Sequence, residues 1–329
     1  MAETAMVTRA IIKGTGMYLP EKVLTNADMA QLVDTTPEWI FTRTGILQRH
    51  KAADDEVTSD LATAAARMAL ENANMRADEI DMIIVATSTP DRTFPSTATY
   101  VQQKLGMTKG AAFDVQAVCS GFVYGLGVAD SMIGRGLAKN ILLIGAETMT
   151  RLLNWQDRTT CILFGDGAGC VVLQAAQGDG TVADTGILST YLQSDGRKAE
   201  LLYVDGGTSF NQQTGFLVMN GKEVFRHAVT YIADAILQVL NETGLQSDDI
   251  DWFIPHQANQ RIISAVGQRI GLDEEKIILT VGQHANTSAA SIPLAFSTAL
   301  ADGRIKKGDL VMFEAMGGGL AWGASLARV

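Results

Sequence analysis

Two stretches of the sequence decide the fold: Asn72–Met82 reads NANMRADEIDM, and Asn241–Trp252 reads NETGLQSDDIDW. Ile80 and Ile250 correspond, which gives an offset of 170 residues (250 − 80). Each copy follows a stretch patterned as an amphipathic helix and runs directly into a short apolar strand. Repetition at a fixed offset predicts a chain built from two similar halves.

The repeat extends beyond these two stretches. Asn140–Ala146 (NILLIGA) matches Asp309–Ala315 (DLVMFEA) at nearly the same offset. Apolar strands that alternate with amphipathic helices predict a mixed α/β sheet covered by helices in each half. We expect residues 1–175 and 176–329 to pack as pseudo-twofold partners, and no Pro-rich or Gly/Ser-rich linker separates them, which favours one fused core. Chance similarity is the alternative explanation of the repeat.

Composition narrows the class of protein. With 47% hydrophobic and 19% charged residues, the 329-residue chain can bury a large core. Its net charge of −10 disfavours nucleic acid and anionic membranes as partners. Apolar runs are strand-sized, so no membrane span is expected, and Met1–Met6 lacks the pattern of a secretory signal. Three widely spaced cysteines predict a reducing cytoplasm and no disulfide framework.

The offset also makes a prediction about function. Cys119 ends an apolar stretch, and its counterpart 170 residues later falls within the turn Asn286–Ala289. A pseudo-twofold axis should therefore bring Cys119 and Asn286 together. His256 follows a predicted buried strand, and α/β folds place ligand sites at such strand ends.

Cys119 is the candidate nucleophile. It lies in Gln116–Phe122 (QAVCSGF), at a predicted turn from strand to helix, where exposed amides and the helix dipole favour the thiolate. A buried structural cysteine is the alternative. Cys161 and Cys170 lie in apolar stretches and are assigned to the core.

His256 and Asn286 are the candidate partners of Cys119. The histidine, in Ile254–Asn259 (IPHQAN), can act as a base or as a hydrogen-bond donor, and the asparagine amide can donate to an enolate or oxyanion. A satisfied loop histidine and a helix-capping asparagine are the alternatives. His284 ranks below His256 because it falls in a polar turn without a flanking strand.

Two glycine-rich segments superficially suggest nucleotide binding. Gly165–Gly169 precedes an apolar strand-like run, whereas a dinucleotide fingerprint must open a helix, and Gly317–Gly319 has the same defect. Both segments are interpreted as tight turns where backbone approaches backbone or ligand. The Gly318 amide remains a candidate oxyanion donor.

Several motifs together resemble one known family. In their order along the chain, the chain resembles β-ketoacyl-[acyl carrier protein] synthase III of the thiolase-like superfamily, nearly from end to end. The matching segments are Gly14–Pro20, Glu38–Ile46, Phe94–Ser96, the Cys119 turn, Phe164–Gly169, Pro255–Asn259, Asn286–Ser291 and Gly317–Gly319.

The resemblance implies a thiolase-like fold with a layered α/β/α/β/α core, and an acyltransferase that initiates type II fatty acid synthesis. Cys119 would take an acyl group from acyl-CoA, with the Cys119 and Gly318 amides stabilising the oxyanion. His256 and Asn286 would then hold the thioester oxygen of malonyl-[acyl carrier protein] during decarboxylation. Acetyl-CoA is the expected primer, and no metal or redox cofactor is expected.

The resemblance also assigns residues around the catalytic three. It implies CoA contacts, an acyl pocket and a docking surface for the acidic carrier protein in a cytoplasmic homodimer, with Phe94 crossing the dimer interface into the partner's pocket. The CoA contacts are Trp39, Arg43, Arg158 and Asn259, the pocket residues are Phe94, Phe164 and Met316, and the docking residues are Arg226, Arg261 and Arg269.

One departure from the family leaves the primer open. Met316 stands where relatives usually carry phenylalanine, beside the Cys119 pocket, and its flexible side chain can reshape that pocket. A same-fold condensing enzyme of secondary metabolism, of polyketide or quinolone type, remains an alternative. A noncatalytic CoA- or carrier-binding homologue is disfavoured because all three catalytic residues are present, and a dehydrogenase is disfavoured by the glycine placement.

Overall fold

The structure is a computed structural model that describes residues 6–329; most of the predicted N-terminal segment Met1–Met6 lies outside the described residues. The elements up to the end of the first sheet are β1 Val7–Tyr18, β2 Lys22–Thr25, α1 Asn26–Leu32, α2 Pro37–Thr44, β3 Gln48–Lys51, α3 Thr58–Ala73, β4 Met82–Ala86, α4 Thr97–Lys104, β5 Ala111–Val115, α5 Gly121–Gly134, β6 Asn140–Thr148 and β7 Asp166–Gly178.

The remaining elements build the second sheet and its helices. They are β8 Gly186–Ser194, β9 Leu202–Val204, β10 Leu217–Met219, α6 Gly221–Thr243, β11 Trp252–Pro255, α7 Gln260–Arg269, α8 Val281–His284, α9 Ser291–Ala301, β12 Leu310–Gly317 and β13 Ala321–Arg328. Short 3-10 turns at Val118–Ser120 and Ser288–Ala290 lead into α5 and α9.

Two sheets with related strand orders form the frame. The first has the order β1-β7-β6-β4-β5 and the second β11-β12-β13-β8. In the first, β4 runs parallel to β5 and β6; in the second, β11 runs parallel to β12 and the other pairs are antiparallel. The first sheet's strands lie within residues 7–178 and the second's within 186–328, and the boundary at 175/176 stays a prediction.

The repeat predicted from the sequence is visible in the strand register. Met82 pairs with Ile141 in the first sheet, and Trp252 pairs with Val311 in the second, so both partners shift by 170 residues. The helices that precede these strands also end in equivalent ways. Asn74 and Gly244, again 170 apart, both adopt the left-handed conformation that terminates a helix.

The layers follow from the alternation of side chains along the strands. In β6, Ile141 and Leu143 face a core shared with α5 and α9 between the sheets, whereas Leu142 and Ile144 face α3 and α4. On the far side, α6 and α7 cover the second sheet. These layers give the predicted α/β/α/β/α order, and Cys161 and Cys170 are buried in the core as predicted.

The prediction of a tight turn at Gly165–Gly169 is wrong, because Asp166–Gly169 lies inside β7. The glycines there serve helix packing. A Cβ on Gly169 would stand 2.7 Å from the backbone nitrogen of Leu294, so the missing side chain lets α9 lie directly on the strand. Gly318 and Gly319, by contrast, do form the predicted turn, between β12 and β13.

The 3-10 turn before α9 approaches the first sheet just as closely. A Cβ on Gly145, in the middle of β6, would stand 2.2 Å from the carbonyl oxygen of Ala289. Gly121, at the start of α5, faces the Cβ of the same alanine at 3.5 Å. This contact brings the Val118–Ser120 turn of one half against the Ser288–Ala290 turn of the other.

Replacing Gly145 by alanine should therefore destabilise the protein. The new methyl group cannot avoid the Ala289 backbone, and overpacking of this kind costs about 1–3 kcal/mol. Gly134→Ala is the matched control, because the position has no neighbour within 4 Å and lies in a helix, where alanine is favoured. Urea unfolding curves measure both changes, and equal stability of the two variants would contradict this account.

Candidate active site

Cys119 lies in a strained turn between β5 and α5. The residue before it, Val118, has a φ of 50°, which is rare for a β-branched side chain. The turn after β12 reaches the backbone here, since a Cβ on Gly317 would stand 2.6 Å from the Cys119 nitrogen. Because that side chain is missing, space stays open beside the Cys119 N–H.

The expectation of a resting thiolate at Cys119 is not supported. The side chain is buried, and burial raises the pKa of the thiol to about 12. The Ser288 hydroxyl offsets part of this rise, and the carboxyl of Glu147 adds to it. Desolvation therefore outweighs the helix dipole, and the resting group is the thiol.

His256 is held at the end of β11 as a neutral hydrogen-bond donor. Its Nδ1 lies 2.6 Å from the Ser291 hydroxyl, which also accepts a bond from the Gln257 amide at 3.3 Å. We therefore assign the hydroxyl proton to the bond with Nδ1, which leaves the ring proton on Nε2. Burial lowers the pKa of His256 to about 3, so the ring is neutral at physiological pH.

Asn286 is fixed by its own backbone and side chain. Its amide donates to the Leu163 carbonyl at 2.9 Å, and its carbonyl accepts from Gly165 at 3.0 Å. Its Oδ1 accepts from the Ser288 amide at 2.9 Å. The side-chain NH2 is therefore the group that Asn286 can offer to the cavity.

One cavity of about 160 Å³ collects the three predicted catalytic residues. Its walls are largely apolar, with Phe164 from the segment before β7 and residues of α6. The predicted site residues on its lining are Cys119, Phe164, His256, Asn259, Asn286 and Met316. Phe94 does not line this cavity within its own chain and is 81% exposed.

The three CoA-binding candidates outside the cavity form one cluster. The guanidinium carbons of Arg43 and Arg158 lie 4.6 and 5.1 Å from the centre of the Trp39 ring. Asn259 Nδ2 donates to the Arg43 carbonyl at 3.1 Å, which ties this cluster to the cavity lining. The arrangement offers an aromatic ring and two cations beside the cavity.

The docking candidates lie on the two outer helices near the cavity. Arg226, on α6, bonds Glu223, and Arg261, at the start of α7, lies over the Phe225 ring at 5.9 Å. Arg269 ends α7 and is paired with Asp234 at 3.9 Å. All three side chains are solvent-exposed, and Arg269 lies about 15 Å along the helix from Asn259.

Sequence reasoning missed four residues around the cavity. Ser291 fixes the His256 ring, Ser288 and Glu147 lie behind Cys119, and Glu314 lines the cavity. Burial raises the pKa of Glu314 well above its usual value, so its carboxyl is neutral. The 170-residue offset placed the Ser288 turn at Cys119, but nothing in the sequence singled out these polar side chains.

Two searches of residues 6–329 gave negative results. No group of three or more His, Cys, Asp and Glu side chains is arranged to hold a metal ion within that range. No helix there has the length and apolar character needed to cross a bilayer. The need for a cofactor is untested by these findings.

Comparison with known proteins decides the family. The model for 3-oxoacyl-[acyl-carrier-protein] synthase III matches residues 113–196, and the model for the C-terminal part of the same enzymes matches residues 240–329. The β-ketoacyl-[acyl-carrier-protein] synthase III of Rhodospirillum centenum is 58% identical over 323 residues, which is 98% of this chain and 100% of the relative. The chain belongs to the β-ketoacyl-[acyl-carrier-protein] synthase III family.

Solved structures agree with this assignment. The 3-oxoacyl-[acyl-carrier-protein] synthase III of Aquifex aeolicus has a TM-score of 0.92 at 45% identity, with 97% of this chain and 100% of that one covered. The priming β-ketosynthase of the R1128 polyketide pathway has a TM-score of 0.91 at 32% identity, covering 98% and 96%. The synthase III fold is therefore shared over nearly the whole chain.

Proposed function

We propose that this synthase III joins an acyl-CoA primer to malonyl-[acyl carrier protein] and so initiates type II fatty acid synthesis. The product is a 3-oxoacyl-[acyl carrier protein]. One observation carries the proposal: a single cavity holds a thiol, a neutral imidazole and a primary amide in a chain of this family. Acetyl-CoA is the proposed primer, and the lower identity to the polyketide enzyme makes secondary metabolism the weaker alternative.

The first half-reaction is acyl transfer to Cys119. Its sulfur attacks the thioester carbonyl of acyl-CoA, and the carbon–sulfur bond to CoA breaks as the acyl–Cys119 bond forms. The backbone N–H groups of Cys119 and Gly318 stabilise the oxyanion. The open space beside Gly317 supports this role for the Cys119 amide.

The second half-reaction uses the donors of the other half of the chain. Nε2–H of His256 and the NH2 group of Asn286 bind the thioester oxygen of the malonyl group. They stabilise the enolate formed as CO₂ leaves, and the enolate carbon attacks the acyl–Cys119 carbonyl, which releases the thiol. A neutral histidine suits this task because it donates without needing to lose a proton.

The wall formed by Phe164 and Met316 limits the acyl group. A cavity of about 160 Å³ favours a short primer. Met316 is almost fully buried, so its flexible chain decides how far a longer or branched group can extend. No metal or redox cofactor is needed to balance the reaction, and we propose that it runs without one.

Substrates reach the cavity from the side of α2 and α7. Trp39 stacks on the adenine of CoA, while Arg43 and Arg158 contact its phosphates and Asn259 binds the chain that leads to the thioester. Arg226, Arg261 and Arg269 dock the acidic carrier protein. Their exposure beside the cavity, in a chain of net charge −10, supports a local basic surface for it.

A cytoplasmic homodimer completes the proposal. A second cavity, of about 520 Å³, lies between the loop at Pro90 and the strand of Tyr203, and it reaches Val118, next to the nucleophile. The exposed Phe94 follows Pro90 by four residues. We propose that Phe94 of one copy enters this cavity of the other, where it would help to line the acyl pocket.

The catalytic roles predict a division between variants. Cys119→Ala should abolish the acyl adduct, whereas His256→Ala and Asn286→Ala should retain acylation and lose malonyl decarboxylation by about 100-fold or more. Intact-mass analysis after incubation with a panel of acyl-CoAs measures the first effect, and CO₂ release measures the second. Labelling that persists in Cys119→Ala, or CO₂ release at the parent rate in the other two variants, would sink the assignment.

The two binding surfaces predict opposite changes in KM. Trp39→Ala removes the stacking surface and should raise KM for acyl-CoA about tenfold while leaving KM for malonyl-carrier protein unchanged. Arg269→Glu, which lies beyond reach of the cavity, should do the reverse. Steady-state kinetics with each substrate varied in turn test the pair, and a rise in both constants for either variant would show that the surfaces are not separate.

The dimer proposal predicts a change at Phe94 alone. Phe94→Glu should shift the protein toward monomer and slow acylation, because a charge cannot enter the partner's apolar cavity. Phe210→Glu is the control, since Phe210 is equally exposed but does not line the second cavity. Analytical ultracentrifugation with acylation rates decides, and a parent protein that sediments as a monomer would refute the dimer.

A further inference from the structure

Acylation requires the buried thiol of Cys119 to lose a proton, and His256 cannot take it. Its Nδ1 accepts the Ser291 hydroxyl proton, and its Nε2 carries the ring proton. Burial also holds the pKa of the ring at about 3, far below that of a base working near neutrality. The proton needs another acceptor near the sulfur.

A buried carboxyl lies behind Cys119. Glu147, in β6, is fully buried and accepts bonds from the hydroxyls of Thr89 at 2.6 Å and Thr87 at 3.2 Å. The Ser88 amide also donates to it, at 3.1 Å. All three partners donate to the carboxyl, an arrangement that favours its anionic, proton-accepting form.

Ser288 occupies the position between the thiol and the carboxyl. Its turn rests on β6 at Gly145, and Glu147 is two residues further along the same strand, so its side chain lies on that face. The Ser288 hydroxyl lowers the pKa of both Cys119 and Glu147, which places it beside both groups. Its oxygen is buried and has no hydrogen-bond partner of ordinary length within residues 6–329.

We propose that Ser288 and Glu147 form a proton relay that activates Cys119 for acylation. The thiol proton passes to the Ser288 oxygen as the hydroxyl proton passes to the Glu147 carboxylate, and the sulfur forms its bond to the acyl carbon. CoA leaves as a thiolate and takes a proton from water, after which Glu147 returns its proton to solvent. The relay rests on the proposed function, because it serves the acylation half-reaction.

Burial gives Glu147 the acidity that the step needs. It raises the pKa of this carboxyl to about 7, so the group accepts and releases a proton near neutral pH. The idle hydroxyl of Ser288 is explained by the same role. The backbone there has a φ of 49°, so a serine is kept in a conformation that favours glycine, although its side chain makes no bond.

The relay is tested by separating the two half-reactions. Ser288→Gly suits the local backbone and removes the hydroxyl, and Glu147→Gln keeps the shape but cannot accept the proton. Each should slow single-turnover acylation by acetyl-CoA about 100-fold. The same variants, acylated by long incubation and then mixed with malonyl-carrier protein, should condense at close to the parent rate. The double variant should be no slower than the slower single one, because both residues serve one path.

Asp166→Asn is the matched control. Asp166 is a buried carboxyl on the neighbouring strand β7 that accepts bonds from Thr150 and Ala52, and it should acylate at the parent rate when substituted. Unchanged acylation in Ser288→Gly or Glu147→Gln overturns the relay, and so does an equal loss in both half-reactions, which marks a structural role. A parent enzyme that no acyl-CoA labels would instead refute the proposed function.

Discussion

The close approach of the Ala289 carbonyl to β6 at Gly145 is the contact on which the site depends. It presses the turn that leads into α9 against the turn that leads into α5, so Cys119 meets Asn286 and Ser288. No side chain can stand at Gly145, because the neighbouring atoms are backbone and cannot move aside. A glycine in the centre of a buried strand, normally unfavourable, is thus the condition for the catalytic residues of the two halves to share one cavity.

Burial then determines the chemistry of that cavity. The same desolvation that raises the pKa of the Cys119 thiol lowers that of His256 and keeps Glu314 neutral. An apolar cavity favours uncharged groups, so it provides hydrogen-bond donors for a developing enolate without extra charge. It also creates the difficulty of ionising the nucleophile. The mechanism therefore needs a route for one proton more than it needs a strong base at His256.

The fold was predictable from the sequence because repetition and apolar alternation are local patterns. The offset between Ile80 and Ile250 predicted the register of both sheets, and the layered core is confirmed. The ionisation of Cys119 was not predictable, because it depends on desolvation by residues distant in sequence. Gly169 was misread as part of a turn for the same reason: its role is to let α9 lie on β7, and a partner over a hundred residues away is invisible in a local pattern.

The register shared by the two sheets shows that the frame is symmetric, yet the reaction is not. The position equivalent to Cys119 in the second half is Ala289, a buried methyl group, and the position equivalent to His256 in the first half is Ala86, also buried. A twofold frame offers two places for a catalytic centre, and this chain has furnished one of them with functional groups and filled the other with packing. Direction in the chemistry, with the acyl group on one half and the donors on the other, comes from this unequal use of equal places.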